Sequence, residues 1–203
     1  MDIQTFDGML LLTQDDSQRL ELVRKYLFHG TPFVFKDKES EYFEFRNRIA
    51  NQFQVSFQEV FIVGSAKLGF SWYKGTDFNL NSDIDVVIVN ESLFEHYTKK
   101  ICDYQYELDR ARYNIDFNEK KLYNSFLQYM VKGWMRPDKL PISFQVGILK
   151  TEWFDFFNSI SYGSSEVGNY EVSGGLYRNY YYLEKYYRLA VDAHYKTLKM
   201  RGN

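Results

Sequence analysis

The spacing of hydrophobic residues differs from one part of the chain to the next. It predicts helices in the first part and strands after them. Apolar residues recur at helical spacing over residues 16–30 and 40–54. Asp16 and Ser17 are candidate caps of the first segment, and Ser40 is the candidate cap of the second. Two helices are therefore predicted before the first strand.

Two β-branched runs then predict the central strands. Residues 59–65 read EVFIVGS, and residues 83–89 read DIDVVIV, a nearly continuous apolar run typical of a buried strand. Residues 71–82 between them are polar and aperiodic, which predicts a loop. A helix over 92–108, with Ser92 as its candidate cap, should follow the second strand.

The second half of the chain is rich in aromatic residues and reads mostly as helix. The pattern predicts a helix over 119–132, a short helix over 151–160, a third strand over 170–177 and a long final helix over 178–199. The tyrosines of the final helix are expected to pack against the core. Strands that alternate with helices indicate an α+β fold with an α/β-type core.

Composition is compatible with one domain over residues 1–203. The chain is 45% hydrophobic, enough to bury a sizeable hydrophobic core. The central part of the domain is predicted to span about 56–118 plus 166–180. A helical N-terminal part and the C-terminal helix would surround it. The net charge of -2 provides no overall basic field for nucleic acid, but it leaves room for a small anion held with a metal ion.

The cysteines and histidines of the sequence indicate the cellular compartment and argue against a histidine-built metal site. Cys102 is the single cysteine, so no intrachain disulfide can form and a reducing compartment is expected. Because the sequence also has neither a signal-peptide pattern nor a long apolar run, we expect a cytoplasmic protein without a membrane partner. His29, His96 and His194 lack metal-ligand spacing.

Two aspartates at the start of the second strand require an explanation. Asp83 and Asp85 alternate with apolar residues, so their carboxylates should lie on one face, about 7 Å apart along the strand. Like charges this close resist joint ionisation unless a cation compensates them, and oxygen ligands suit Mg²⁺ or Mn²⁺. A polar strand entrance without any ligand is the simpler alternative.

The first strand ends in residues that suit a phosphate group. Gly64 lets the backbone approach a ligand closely, and Ser65 adds a hydroxyl. Lys67 is a candidate for neutralising phosphate charge, and Ser82, which precedes the acidic pair, is a further candidate for binding the same ligand. Lys74 in the intervening loop either reaches a phosphate or lies in solvent.

The segments VGSAKLGFS and NSDIDVVIV together resemble the hG[GS] and [DE]h[DE]h signatures of the polymerase beta-like nucleotidyltransferase superfamily. The resemblance covers about 30 of 203 residues. It implies a small mixed sheet with additional helices. It also implies that Gly64 and Ser65 hold a nucleoside triphosphate, and that Asp83 and Asp85 are catalytic residues that bind Mg²⁺ or Mn²⁺.

Active members of that superfamily usually carry a third acid on a later strand. Glu171 in YEVSGG alternates correctly with its neighbours, and Asp116 in YNIDFN does so as well. Glu171 is slightly favoured by its place in the chain. The alternatives are that Asp116 caps a helix and that Glu171 is an exposed strand residue.

The resemblance implies transfer of a nucleoside monophosphate from an NTP to a hydroxyl acceptor. RNA, protein and nucleotide all remain open as the acceptor. A bacterial toxin-antitoxin or phage-defence module, with a protein partner from a neighbouring gene, is one expected setting. The alternative is a non-catalytic nucleotide-binding or antitoxin-like interaction protein with the same fold.

Overall fold

The computed structural model describes residues 1–201, which form a small mixed sheet surrounded by helices. The strands are β1 (Val60–Val63), β2 (Phe70–Ser71), β3 (Thr76–Asp77), β4 (Ile84–Val89), β5 (Trp134–Met135) and β6 (Val172–Tyr177). The α-helices are α1 (Ile3–Leu11), α2 (Asp16–Val23), α3 (Glu39–Phe53), α4 (Gly64–Leu68), α5 (Glu91–Asp109), α6 (Phe117–Val131), α7 (Ile142–Phe144), α8 (Phe156–Ser159) and α9 (Tyr180–Arg201). The predicted α+β class is confirmed.

Helices of other types extend or connect these elements. A π-helical segment, Arg24–Phe28, continues α2, and a second one, Gln145–Asp155, joins α7 to α8. Short 3-10 helices cover Phe33–Phe35, Phe57–Glu59 and Pro137–Lys139.

The main sheet has the order β1-β4-β6-β5. The central strand β4 pairs antiparallel with β1 and parallel with β6, and β5 pairs antiparallel with β6. In this register Asp85 lies between Val63 of β1 and Ser173 of β6. The acidic strand is therefore surrounded on both sides by sheet.

Side chains alternate between the two faces of this sheet. Ile62 and Val86 point into the larger core, which also contains buried residues of α3 and α5. Val63 and Val87 point to the opposite face, where they pack with Leu183 of α9. Asp85 belongs to this second face, which the C-terminal helix covers in part.

The N-terminal helices pack on α9 in a separate hydrophobic cluster. Phe6, Leu10, Val23 and Val191 are fully buried in it. A partly buried ion pair, Arg19 Nε to Asp192 Oδ1 at 2.6 Å, also joins α2 to α9. Helix α9 thus connects the N-terminal helices to the sheet.

Three predicted caps are wrong by a residue or two. Asp15 caps α2, and Asn90 caps α5, because each has an extended backbone and a side chain that accepts from an amide three residues later. Ser92 is already inside α5, and Ser40 is inside α3, which starts without a side-chain cap.

The structure differs from the prediction in the β2–β3 hairpin, in strand β5 and in the helical segment that begins at Ile142. The predicted loop 71–82 contains the β2–β3 hairpin, and β5 was not predicted, because two-residue strands carry too few positions to show alternation. The predicted helix 151–160 is the end of a helical segment that begins at Ile142. Within residues 1–201, no helix combines the length and apolarity needed to cross a membrane.

Candidate functional site

Most of the predicted site residues line one cleft. Its volume is about 500 Å³, and it lies between α4, the β2–β3 hairpin, the start of β4 and α9. The predicted residues on its wall are Gly64, Ser65, Lys74, Ser82, Asp83 and Asp85. Residues from two segments that are separated by the hairpin thus converge on a single space.

Gly64 places bare backbone directly against the acidic strand. Its φ is +66°, a left-handed conformation that favours glycine. A Cβ atom at this position would lie 2.9 Å from Asp85 Oδ2. Glycine is therefore required twice here, by the backbone conformation and by the neighbouring carboxylate.

The surroundings of Asp85 disfavour the ionised form of its carboxyl group. The residue is exposed through the cleft, yet the surrounding protein removes enough water to raise its carboxyl pKa. The nearby charge of Asp83 raises that pKa further, while Lys74, Ser173 and Arg136 oppose the shift. A cation between the two carboxylates would relieve this repulsion.

Tyrosines form a wall beside Asp85. Burial raises the pKa of Tyr177, Tyr186 and Tyr187, and the charge of Asp85 is a further cause for each. Trp134 stacks on Tyr177 with ring centroids 5.4 Å apart. The site therefore combines an aromatic wall with excess negative charge.

A second cavity, of about 510 Å³, adjoins the first at Asp85. Asp85, Tyr186 and Tyr187 border both cavities. The second cavity also exposes Arg136 and Ser173. Sequence reasoning missed both of them, although Ser173 could have been found because it alternates with Glu171 on the predicted strand.

The two candidates for a third acid have different surroundings. The Glu171 carbonyl accepts from Ile84 N–H at 2.8 Å, so Glu171 enters the sheet beside Asp83, and it lines the second cavity. Its carboxylate accepts from the Tyr162 hydroxyl at 3.1 Å. The residue paired with Asp85 is Ser173.

Asp116 serves as a helix cap. Its carboxylate accepts from Glu119 N–H at 2.8 Å, and Glu119 accepts in return from Asp116 N–H at 3.1 Å. It does not line either cavity within the described chain. Among residues 1–201, no group of three or more His, Cys, Asp or Glu side chains is arranged to hold a metal ion.

Lys67 points away from the cleft, contrary to its predicted place near a phosphate. Its Nζ donates to the carbonyls of His29 at 2.5 Å and Gly30 at 2.6 Å. Burial, with a smaller contribution from Arg46, lowers its pKa to about 8. Lys67 therefore anchors α4, and Lys74 is the lysine on the cleft wall.

Ser82 lies on the cleft wall, but its hydroxyl is engaged in a turn. It accepts from Asn79 N–H at 3.1 Å.

No protein-family model, curated protein or solved structure matches the chain.

Proposed function

We propose that the protein is a metal-dependent nucleotidyltransferase with a polymerase beta-like fold. It would transfer a nucleoside monophosphate from an NTP to a hydroxyl acceptor in the cytoplasm. The observation that carries the proposal is the convergence of Gly64, Ser65, Asp83 and Asp85 on one cleft. The motif resemblance in the same residues supports it.

The cleft has suitable dimensions and groups for the triphosphate. Its volume of about 500 Å³ falls in the range of small-molecule sites. The bare backbone at Gly64 allows close approach, Ser65 offers a hydroxyl, and Lys74 supplies positive charge at the wall. An aromatic side, formed by Tyr186 and Tyr187, is available to the nucleoside.

Asp83 and Asp85 would hold Mg²⁺ or Mn²⁺. Mg²⁺ is commonly bound by one or two carboxylates together with substrate phosphates, so the pair suffices as the protein's share. The raised pKa of Asp85 agrees with this fit, because burial and then the nearby charge of Asp83 disfavour the ionised carboxylate, which a bound cation would stabilise. When bound, the ion would neutralise charge on the triphosphate.

The reaction itself requires positioning of two ligands across Asp85. The acceptor oxygen would bond to the α-phosphorus as the bond from that phosphorus to the bridging oxygen breaks, and pyrophosphate would leave. Asp85 borders both cavities, and in this proposal it would accept the hydroxyl proton.

One observation favours a second candidate, a nucleotide-binding protein that does not transfer. Ser173 occupies the position beside Asp85, and the Glu171 carboxylate is hydrogen-bonded to Tyr162. Without a third clustered acid, the protein would act as a sensor or as an antitoxin-like partner of a protein from a neighbouring gene.

The test is incubation of purified protein with each α-labelled NTP and Mg²⁺ or Mn²⁺, with RNA, protein and nucleotides as acceptors. The double variant Asp83→Ala/Asp85→Ala is compared with Asp103→Ala/Asp109→Ala, which removes two exposed acids of α5. We expect label transfer by wild type and control but not by the site variant. Site-dependent NTP binding without transfer would favour the second candidate, and loss of neither property in the site variant would overturn both.

A further inference from the structure

Aromatic side chains line the second cavity on the Asp85 face of the sheet. Tyr177 of β6 stacks on Trp134 of β5, with ring centroids 5.4 Å apart. Tyr186 of α9 lies 4.6 Å from Trp134 and 6.0 Å from Tyr177, measured between ring centroids. All three residues border the cavity, so a ligand in it would meet aromatic surface.

Tyr177 brings a hydroxyl group without a partner to this cavity. The residue is 1% exposed and borders the cavity. Burial raises the pKa of its hydroxyl, and no hydrogen bond from another group within residues 1–201 lowers that pKa. A buried polar group that lacks a partner costs free energy, and a hydroxyl group on a ligand would provide one.

Carboxylates outnumber cationic groups on the cavity wall. Asp85, Asp138 and Glu171 line it, and Arg136 is the one cationic residue that the described chain places there. Arg136 donates to both carboxylate oxygens of Asp138, from Nε at 3.1 Å and from Nη2 at 2.8 Å. This ion pair leaves the charges of Asp85 and Glu171 in excess.

Glu171 is the carboxylate that remains for a ligand in this cavity. Asp85 would hold the metal ion in the proposed function. The Glu171 carboxylate accepts from the Tyr162 hydroxyl at 3.1 Å, a contact that adds no positive charge. A cationic group on the ligand would compensate Glu171, whereas a phosphate group would be repelled.

Aromatic rings beside a carboxylate favour an organic cation. The face of an aromatic ring attracts a cation that lies within about 6 Å of its centroid. The structure has one such contact at this wall, because the Arg136 guanidinium lies 5.3 Å from the centre of the Trp134 ring. The volume of about 510 Å³ is in the range of small-molecule sites.

We infer that the second cavity binds a small organic cation that carries a hydroxyl group. Its cationic centre would lie against the rings of Trp134 and Tyr186 and would pair with Glu171. Its hydroxyl would accept a hydrogen bond from Tyr177. These are contacts that a polyanion such as RNA does not match.

Together with the proposed function, on which this part rests, the cation is the hydroxyl acceptor. Its hydroxyl oxygen would bond to the α-phosphorus of the NTP, pyrophosphate would leave, and the hydroxyl proton would pass to Asp85. Asp85 borders both this cavity and the nucleotide cleft. The acceptor would then be a small basic molecule, and RNA and nucleotides would be poor acceptors.

The first test is a calorimetric titration of the purified full chain with two cations of different size, choline and benzyl(2-hydroxyethyl)dimethylammonium. Each is compared with the neutral alcohol in which a carbon atom replaces the nitrogen. We expect each cation to bind about tenfold or more tightly than its neutral counterpart. Equal affinities within each pair, or no detectable binding of either cation, would overturn the inference.

Two variants locate the binding site. Glu171→Gln keeps the shape of the side chain but removes its charge, so it should reduce the preference for cation over neutral alcohol by about fivefold or more. Asp103→Asn, which removes an exposed acid of α5 outside both cavities, is the matched control and should keep the preference. An unchanged preference in Glu171→Gln would overturn the assignment to this cavity.

Tyr177→Phe tests the contact with the ligand hydroxyl. It should weaken binding of the cation and of its neutral counterpart alike, by about threefold or more, because both carry the hydroxyl group. Thermal unfolding of the variant checks that the fold is retained. Unchanged affinities in a folded Tyr177→Phe variant would contradict the proposed contact.

A third variant separates this inference from the proposed function. Lys74 lines the nucleotide cleft and not the second cavity, so Lys74→Ala should weaken NTP binding and leave cation binding unchanged. In the labelled-NTP assay, wild type should transfer label to the bound cation. Cation binding without such transfer would leave the binding site and remove its role as acceptor site. NTP binding without cation binding would overturn the inference and leave the nucleotide site.

Discussion

Replacing Gly64 by alanine should destabilise the protein and displace the Asp85 carboxylate. The left-handed backbone at φ +66° costs a residue with a Cβ about 1–2 kcal/mol. The new Cβ would also lie 2.9 Å from Asp85 Oδ2. Moving that carboxylate off its rotamer costs a further amount of about 0.5–1.5 kcal/mol.

Gly75 is the matched control for the backbone contribution. Its φ is +67°, and nothing lies within 4 Å of an added Cβ. Gly75→Ala should therefore cost only the backbone contribution, whereas Gly64→Ala should cost about 1.5–3.5 kcal/mol in total. The free energy of unfolding is measured by urea titration for both variants and the wild type.

A double-mutant cycle isolates the contact with the carboxylate. In an Asp85→Ala background, Gly64→Ala should cost no more than Gly75→Ala, which gives a coupling energy of about 1 kcal/mol. In the wild-type background, where Asp85 is present, Gly64→Ala should also weaken metal-dependent NTP binding. Equal costs for the two glycine substitutions in both backgrounds would refute the close contact between Gly64 and Asp85.

Three further predictions concern the other site residues. The pKa of Lys67 is lowered from 10.5 to about 8, so the folded state binds this proton more weakly than the unfolded state does. The free energy of unfolding of the wild type, relative to that of Lys67→Met, should therefore rise between about pH 8 and pH 10.5. Urea titrations of both proteins at pH 7 and pH 10 measure this difference. Asp116→Ala should remove a capping box at a cost of about 1 kcal/mol in thermal unfolding and leave NTP binding and transfer unchanged. Glu171→Gln should reduce transfer in the labelled-NTP assay while NTP binding persists, because Glu171 lies beside Asp83. The opposite pattern for these last two variants would reassign the third acid to Asp116.

Local patterns in the sequence were sufficient to predict the two central strands, of which β4 carries Asp85. The β-branched runs predicted β1 and β4, and alternation placed Asp83 and Asp85 on one face, because these signals depend on neighbours a few residues apart. The same kind of signal predicted β6 and the long final helix. Two-residue strands such as β5 are stabilised by their pairing partners, so no local sequence pattern predicted them.

The roles of individual side chains depended on contacts between distant segments. Lys67 turns to the carbonyls of His29 and Gly30, and Asp116 caps α6. Ser173 lies beside Asp85 because β6 pairs with β4 across more than eighty residues of chain. The sequence by itself determined which residues could carry the chemistry, since residue type and period are local. Tertiary structure decided which of them share a cavity, since strand pairing and helix packing bring together residues that no local pattern relates.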